Sequence, residues 1–354
     1  MSTVIGWDLG GANLKLAVVD NGTLTKAVQI PCPILPDRAK FDQAVESALH
    51  AVPQAARPDL HAVTMTGELS DVFESRTEGV AYLIALMERA AGATPLLIWA
   101  GTRGLLAPQD AKAVTRAIAS ANWLATAALA AQREPEGLLV DIGTTTTDLI
   151  PFRDGSLLIR GTTDAERLRE GELIYSGVVR TPVMALAQKA PFQGRMQGVA
   201  AEKFATLADV YRLTGDLPGD ADPYPTADGR VKSVEASAAR LARMLGRDAD
   251  DAPMADWIAV AKWFADRHWQ QIAQEAEALI GRDGLSPDAL VVGAGCGRFL
   301  AAALANALRR PYRDFGALIG APEALRSAAA VCAPAVSVAF LAATDSNGSA
   351  LSSR

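Results

Sequence analysis

The sequence is poor in the residues that form disulfides and bind soft metals. It has only three cysteines among 354 residues, far apart and odd in number: Cys32, Cys296 and Cys332. This excludes a disulfide framework, and no cysteine or histidine pair has the spacing of zinc ligands. Carboxylates and phosphate remain as ligands for a metal, and such ligands favour Mg²⁺.

Runs of like charge and long apolar stretches are also missing. The net charge is −6 and no dense Lys/Arg run occurs, which excludes the usual nucleic-acid partners. Glycine, proline or charge interrupts each apolar stretch before the ~20 residues that span a bilayer, and no signal-peptide pattern opens the chain. We therefore expect a cytoplasmic protein without a membrane or nucleic-acid partner. Association into a homo-oligomer stays open.

A strand–loop–strand pattern occurs twice in the chain. The predicted strands are Val4–Leu9, Leu14–Asp20 and Thr23–Ile30 in the first copy, and Leu138–Ile142 and Asp148–Arg153 in the second. Asn21-Gly22 and Asp154-Gly155 are hairpin signals that close each copy. Because each copy has an Asp at the end of its first strand, the pattern predicts an α/β fold with a duplicated ribonuclease-H-like unit.

The other predicted elements fit two domains around a central cleft. Predicted helices are Asp37–Ala51, Glu78–Ala91, Ala121–Gln132 and Arg298–Leu308, and predicted strands are Ala62–Met65, Pro95–Trp99 and Ala289–Val292. Pro31, Pro33 and Pro36 end the first sheet locally. Apolar residues at helical spacing from Ile258 to Leu279 mark one long helix, on which His268 reads as a core histidine. The expected domains are residues 1–135 and 136–344, the second with a helical insertion at about 183–285, followed by a flexible tail, 345–354.

The first glycine-rich loop, Asp8–Lys15, follows the first strand. Adjacent glycines allow a tight turn that presents backbone N–H groups to an anion. Asp8 would bind Mg²⁺ directly or through water, and Lys15 would add positive charge. An ordinary hairpin turn is the alternative for this loop alone. The residues expected at a phosphate are Gly10, Gly11, Ala12 and Asn13.

The second loop, Asp141–Asp148, contains four consecutive threonines, more hydroxyls than a simple turn needs. Hydroxyls and backbone amides together form a phosphate cradle. Asp141 is the second expected Mg²⁺ ligand, and Asp148 would hold metal or position a water molecule. The alternative is a threonine-rich edge hairpin, which the pairing with the first loop makes less favourable. The expected cradle residues are Gly143, Thr144, Thr145 and Thr146.

A third loop, Gly293–Gly297, joins a predicted strand to a helix. It is not a dinucleotide fingerprint, since Arg298 stands where that motif needs its third glycine. Small residues at a helix N-terminus still admit a phosphate or a flat ligand. The expected contact residues are Gly293, Gly295 and Gly297. Cys296 reads as a small packing residue rather than a nucleophile.

Three such loops in this order resemble the acetate kinase, hexokinase and actin superfamily, over Val4 to about Leu341. There, two Asp-led loops hold phosphates from opposite domains and the third loop borders the nucleoside. The kinase and hydantoinase members usually carry Thr or Ser where this chain has Ala12. That hydroxyl helps to hold ATP, so the resemblance implies phosphate binding but not ATP as a cofactor.

Further segments resemble one family within that superfamily. They are Met65–Asp71, Gly161–Asp164, Gly171–Leu173, Gly177–Pro182, Thr226–Gly229 and Arg240–Met244. Together they are similar to the tetrahydromethanopterin-linked C1-transfer proteins close to the hydantoinase/oxoprolinase group. That family includes the synthase of the aminomethylfuran–phenol ether in methanofuran biosynthesis, and the match spans most of the chain.

The resemblance implies a transferase of methanofuran or methylofuran biosynthesis, in one-carbon metabolism. An aminomethylfuran-methanol diphosphate would alkylate the phenol of a γ-glutamyl-tyramine or tyrosine-derived acceptor and release pyrophosphate. Such a leaving group needs Mg²⁺ and amide donors, which the loops offer. Four residues are candidates for catalysis: Lys15 for phosphate charge, Glu68 or Asp148 for the phenol proton or the substrate amine, and Arg180 for phosphate or an acceptor carboxylate.

Some of these residues could have a purely structural role instead. Structural salt bridges or caps are about as favoured as function for Arg180, Asp164, Glu172 and Asp228. Glu68 follows a short strand, where cleft residues lie in open α/β sheets, which favours function. Two other functions stay open: an ATP-dependent small-molecule kinase or hydantoinase-like amidohydrolase, and a non-catalytic actin-like nucleotide-binding protein.

Overall fold

A computed structural model of the protein describes residues 2–32, 37–52 and 58–351. The strands are β1 Thr3–Leu9, β2 Asn13–Asp20, β3 Thr23–Pro31, β4 Leu60–Met65, β5 Leu96–Trp99, β6 Leu105–Leu106, β7 Glu136–Ile142, β8 Thr147–Arg153, β9 Ser156–Leu157, β10 Leu173–Ile174, β11 Lys189–Phe192, β12 Arg195–Gly198, β13 Leu290–Ala294 and β14 Tyr312–Asp314. Pro31 closes β3 as predicted, whereas Pro33 and Pro36 lie outside the described residues.

The helices are α1 Ala39–His50, α2 Arg76–Ala91, α3 Pro108–Ala111, α4 Thr115–Ile118, α5 Asn122–Arg133, α6 Asp164–Glu170, α7 Leu207–Thr214, α8 Val234–Met244, α9 Met254–Asp283, α10 Arg298–Ala307, α11 Phe315–Leu318, α12 Arg326–Val331 and α13 Ala333–Leu351. Short 3₁₀ turns lie at Gly67–Leu69, Gly101–Arg103, Val183–Ala185, Ala249–Asp251 and Glu323–Leu325. The predicted elements are present, with ends that differ by one or two residues from those expected, except that α9 extends the predicted helix Ile258–Leu279 by four residues at each end.

The chain forms two compact units. The first comprises Met1–Pro135, Phe152–Leu157 and Arg313–Arg354, and the second comprises Glu136–Pro151 and Leu158–Tyr312. Residues 313–344, which the sequence pattern assigns to the C-terminal domain, belong to the first unit, where α13 packs on β1, β2 and α5. Helix α13 also runs to Leu351, into the expected tail.

In the first unit the sheet has the order β3-β2-β1-β4-β5-β6. Strands β1, β2 and β3 are antiparallel neighbours, whereas β4 runs parallel to β1 and β5 parallel to β4. Asn21 and Gly22 both have positive φ, as the predicted tight hairpin requires. Gly6 allows α13 to approach β1, since a Cβ there would lie 2.0 Å from the Ala335 carbonyl oxygen.

The second unit repeats this plan around β7. Its main sheet has the order β10-β8-β7-β13-β14, with β13 parallel to β7, and β9 pairs with β8. Each unit thus has an Asp-led loop after its central strand, then a neighbouring strand, with a parallel strand on the other side. This is the predicted α/β architecture with a duplicated ribonuclease-H-like unit.

Helices α7, α8 and α9 and the hairpin β11–β12 form the predicted insertion in the second unit. His268 is fully buried on α9, and its Nδ1 lies 2.8 Å from the Tyr211 hydroxyl, so it is the expected core histidine.

Among the described residues no single helix is long and apolar enough to cross a membrane. Only the bent pair Glu323–Val331 and Ala333–Thr344, at 105°, reaches that length and composition when taken together.

Candidate active site

Loop one, residues Asp8–Lys15, joins β1 to β2 in the first unit. Asp8 stands opposite Lys15 in the antiparallel register and beside Thr64 of β4. The Lys15 Nζ lies 3.4 Å from the Asp8 Oδ2. Gly10 is needed at the turn because a Cβ would lie 2.6 Å from the Asn13 carbonyl oxygen. The loop therefore brings a carboxylate and an ammonium group into contact.

Asp8 is almost completely enclosed, with 2% of its surface exposed. Burial raises the pKa of its carboxyl group, while Lys15 and the Asn122 side chain oppose that change. Its Oδ1 is buried and receives no hydrogen bond of normal geometry from the described residues. A divalent cation at this oxygen would stabilise the charged form, so the donor chemistry of Asp8 fits Mg²⁺.

No group of three or more His, Cys, Asp or Glu side chains in the described part of the chain could hold a metal ion. This is compatible with Mg²⁺, which keeps several waters and is usually held by one or two carboxylates together with substrate phosphates. A site of that kind gains most of its oxygen ligands only when the phosphorylated substrate binds.

Glu68 lies in the turn after β4 and is 1% exposed. Its Oε1 accepts a hydrogen bond of 2.8 Å from the backbone N–H of Ser120, a residue with a positive φ of 54°. Gly79 of α2 packs against it, since a Cβ there would lie 2.7 Å from the Glu68 Cα. These contacts hold the turn before α5, which begins at Asn122 beside Asp8. They hold Glu68 in place, and its role as proton acceptor stays a prediction.

Loop two, residues Asp141–Asp148, joins β7 to β8 in the second unit. Its predicted cradle residues are all half-buried: Gly143, Thr144, Thr145 and Thr146. The amide of Gly143 donates to the Thr146 carbonyl oxygen at 2.9 Å, which closes the loop into a tight turn. Thr147 is instead buried, and its hydroxyl donates to the Ser176 carbonyl oxygen at 2.8 Å. The loop thus anchors one threonine in the fold and leaves three at its accessible side.

A second segment, Ser176–Thr181, supports loop two, and we call it the clamp. Three of its amides donate to loop two: Val178 to the Gly143 oxygen at 3.1 Å, and Val179 and Arg180 to the Thr144 oxygen at 3.2 and 2.8 Å. The Arg180 side chain is exposed and forms no ion pair with the described residues. The Arg180 backbone therefore adjoins the threonine loop, while its side chain is exposed to solvent.

Gly177 is the point of closest approach between the clamp and loop two. A Cβ at this position would lie 2.5 Å from the Thr145 nitrogen and 2.6 Å from the Gly143 oxygen. The Thr181 hydroxyl oxygen accepts a hydrogen bond of 2.9 Å from the Gly177 amide, which fixes the clamp's own turn. Only glycine fits between these backbones, so the close approach of the clamp to loop two requires glycine at position 177.

The two aspartates of loop two have different surroundings. Asp148 accepts a hydrogen bond of 2.7 Å from the guanidinium of the buried Arg167, which ties it to α6. Asp141 is half-buried at the end of β7, beside Ala294 in the parallel register. Its carboxylate fits a Mg²⁺ ligand by type, whereas the pairing with Arg167 favours a structural task for Asp148 over proton transfer. The roles of Asp141 as a Mg²⁺ ligand and of Asp148 as a proton acceptor stay predictions.

Loop three, Gly293–Gly297, lies directly against the end of β7. A Cβ on Gly295 would meet the Ile142 oxygen at 2.2 Å and the Asp141 Oδ1 at 2.6 Å, and Gly295 also has a positive φ of 78°. The Gly297 amide donates to the Ile142 oxygen at 2.8 Å, and the Tyr312 ring occupies the space beside Gly293. Close packing thus accounts for these glycines, and ligand contact at loop three stays a prediction.

The remaining motif residues build a scaffold. Glu172 is fully buried, accepts from the Arg160 and Gly161 amides at 2.7 and 3.1 Å, and pairs with Arg282 at 3.0 Å. Asp164 begins α6, and Asp228 pairs with the buried Arg240 at 3.1 Å. Asp228 and Glu172 therefore form structural ion pairs, which was the alternative to a functional role for them.

Several contacts in these sites were not foreseen from the sequence. In the sequence, Gly177–Pro182 stands out only by its similarity to the family. Nothing in its residues indicates that its backbone would support loop two. The same holds for Ser120 and Asn122, whose contacts with Glu68 and Asp8 have no signal in the sequence, although Asn122 lies in the predicted helix Ala121–Gln132. Only the folded chain brings such distant segments together.

Comparison with known proteins places the chain among enzymes. Residues 59–342 match the family described as hydantoinase/oxoprolinase. A protein of Methanocaldococcus jannaschii named (4-{4-[2-(gamma-L-glutamylamino)ethyl]phenoxymethyl}furan-2-yl)methanamine synthase is 29% identical over 293 residues, 82% of this chain and 86% of that protein. A protein of the same name from Methanococcus vannielii is 33% identical over 124 residues, 35% of this chain and 55% of that protein.

A solved structure supports the architecture alone. The nucleotide-free structure of acetone carboxylase matches with a TM-score of 0.57 and 11% identity, over 96% of this chain and 70% of that one. At this identity the likeness concerns the fold and carries no information about the reaction.

Proposed function

Because the chain belongs to the hydantoinase/oxoprolinase family, we propose that it is the ether-forming synthase to which its named relatives point. The donor is an aminomethylfuran-methanol diphosphate, and the acceptor is the phenol of a γ-glutamyl-tyramine or tyrosine-type compound. The carrying observation is the similarity to the M. jannaschii synthase along most of both chains. The name of that relative describes the phenoxymethyl-furan product of such a reaction.

The reaction exchanges one carbon–oxygen bond for another. The bond between the furan-bound methylene carbon and the diphosphate oxygen breaks, and its electron pair leaves with the diphosphate. The phenol oxygen forms a bond to the same carbon, and its proton passes to a carboxylate. Glu68 and Asp148 are the predicted candidates, and the ion pair with Arg167 makes Asp148 the weaker of the two. The leaving group therefore carries the charge that the protein must stabilise.

Loop two and the clamp support this role by their donor set. Half-buried threonines and backbone amides suit phosphate oxygens, and the exposed Arg180 adds a positive charge without an ion pair of its own in the described residues. Since the clamp fixes the loop before substrate binds, little reorganisation is needed at the moment of reaction. Gly143, Thr144, Thr145 and Thr146 would thus hold the diphosphate.

Loop one offers a carboxylate and a cation for the same chemistry. Asp8 would hold Mg²⁺, with Asp141 as the second proposed ligand, and Mg²⁺ would supply charge neutralisation for a leaving diphosphate. Lys15 is held by its contact with Asp8 and would add a further positive charge. The alanine at position 12 lacks the hydroxyl that the resemblance links to ATP, which favours a carbon-bound diphosphate as the ligand.

The test is incubation of the purified protein with the furan diphosphate, MgCl₂ and either γ-glutamyl-tyramine or tyrosine. Pyrophosphate is measured by a coupled assay and the ether by mass spectrometry. We expect both products in equal amounts, and Asp8→Asn to abolish turnover while Asp266→Asn, an exposed residue of α9, leaves it unchanged. Failure to form pyrophosphate with either phenol, together with substrate-stimulated ATP hydrolysis, would replace this proposal with the kinase or amidohydrolase alternative.

A further inference from the structure

An open pocket lies in the first unit, apart from loop one. It has a volume of about 360 Å³ and is lined by Arg103, Ala113, Val114, Thr115, Arg116 and Ala117. Arg103 ends the short turn after β5, and the other residues belong to α4 and the segment before it. None of these residues has a part in the sites described above.

Packing between the two segments gives the pocket its form. Gly101 has a positive φ of 60°, and a Cβ there would lie 3.1 Å from the Ala117 carbonyl oxygen. The turn Gly101–Arg103 and helix α4 are therefore held in close contact, each contributing one arginine. Gly101 and Ile118, one in each segment, are both buried, so the two segments are anchored in the fold.

The pocket carries positive charge that the protein does not neutralise. The side chains of Arg103 and Arg116 are exposed and form neither an ion pair nor a hydrogen bond within the described residues. The neighbouring Lys112 is already paired with Glu88 at 2.8 Å. Two guanidinium groups without an ion pair in the described residues favour a carboxylate at this pocket. A guanidinium binds the two coplanar oxygens of a carboxylate through two parallel hydrogen bonds.

The pocket is close in the chain to Ser120 and Asn122, which contact Glu68 and Asp8. Strands β1, β4 and β5 are parallel, so the segments that follow them leave the same edge of the sheet. The chain that leaves α4 reaches Ser120, which donates to Glu68, and then Asn122, which lies beside Asp8. A ligand that extends from the pocket along this edge would approach those residues.

We propose that this pocket binds a carboxylate of the phenolic acceptor, an inference that rests on the proposed function. The name of the M. jannaschii relative describes a product with a γ-glutamylamino group, which carries a free carboxylate. The methyl groups of Ala113, Val114 and Ala117 suit the carbon chain of such a compound.

The experiment compares two acceptors in wild-type protein and in Arg103→Gln/Arg116→Gln. γ-Glutamyl-tyramine carries the carboxylate, whereas tyramine has the same phenol without it. We expect the KM for γ-glutamyl-tyramine to rise about tenfold or more, as loss of charge-assisted hydrogen bonds implies. The KM for tyramine and for the furan diphosphate should stay within about twofold, and Arg89→Gln, a surface arginine outside the pocket, should change neither.

Equal changes with both phenols, or a change in the KM of the diphosphate instead, would overturn the proposal. If the wild-type protein forms no ether, the proposed function fails, and calorimetry then tests the pocket alone. Wild-type protein should bind γ-glutamyl-tyramine more tightly than tyramine, and the double variant should lose that preference. The same affinity for both compounds in the wild type would reject a carboxylate site independently of catalysis.

Discussion

Gly177→Ala tests whether the clamp determines the conformation of loop two. An added Cβ would lie 2.5 Å from the Thr145 nitrogen, where ordinary contact begins at 3.4 Å, so the segments must separate by about 0.9 Å. The atoms met are all backbone atoms of loop two, including the Gly143 oxygen and the Thr144 carbonyl carbon. None of them can turn aside as a flexible side chain would.

Two effects follow from this displacement. Overpacking typically costs about 1–3 kcal/mol of stability. A misplacement of ~1 Å in a group that positions the substrate can cost about 10²-fold in rate. We therefore expect kcat/KM for pyrophosphate release to fall about 100-fold, while circular dichroism retains the native spectrum and the Tm falls by several degrees.

The matched control is Gly198→Ala in β12 of the same unit. A Cβ at Gly198 would meet nothing within 4 Å, so this variant should keep the activity of the wild type. Activity of Gly177→Ala within about twofold of the wild type, measured well below its Tm, would refute the reasoning, because 10²-fold is the loss expected from such a shift. A loss of Tm alone would show that the clamp serves the fold and not the loop.

Three further predictions concern charge and burial. Arg180→Gln should weaken pyrophosphate binding about tenfold by calorimetry, and leave the unfolding free energy within about 0.5 kcal/mol, because the side chain is exposed. Asp209→Asn should cost about 3–5 kcal/mol in urea unfolding, since Arg240 is fully buried and lies 2.6 Å from the Asp209 carboxylate. Burial lowers the pKa of His61 and His268 from 6.5 to about 4, so stability should be complete above pH 6.5 and fall toward pH 4. The loss is roughly 3 kcal/mol for each ring, seen as a fall in urea midpoint.

Each of these has a contrary outcome. For Arg180→Gln, pyrophosphate binding that is unchanged and equally salt-dependent would remove the guanidinium from the site. For Asp209→Asn, the control is Glu170→Gln, which breaks a surface pair with Arg169 and should cost little. For the histidines, a His268→Gln variant should lose part of the pH dependence, and an identical pH profile would contradict it.

The sequence alone determined the local elements and the chemistry of the loops. Strands β1 and β2, the turn at Asn21 and Gly22, and the apolar stripe with His268 on α9 follow from periodicity and turn preferences, which act over a few neighbouring residues. The repeat of an Asp-led loop after a central strand could also be predicted from the sequence, since a duplicated fold repeats its sequence pattern.

Tertiary structure alone decided which groups stand beside these loops. The hydrogen bond between Glu68 and Ser120 joins residues 52 positions apart, and no spacing rule predicts it. The clamp at Gly177, the ion pair that ties Asp148 to Arg167, and the return of α13 to the first unit are of the same kind. Such contacts depend on the packing of whole elements, because side chains far apart in sequence meet only when burial of apolar surface has brought their elements together.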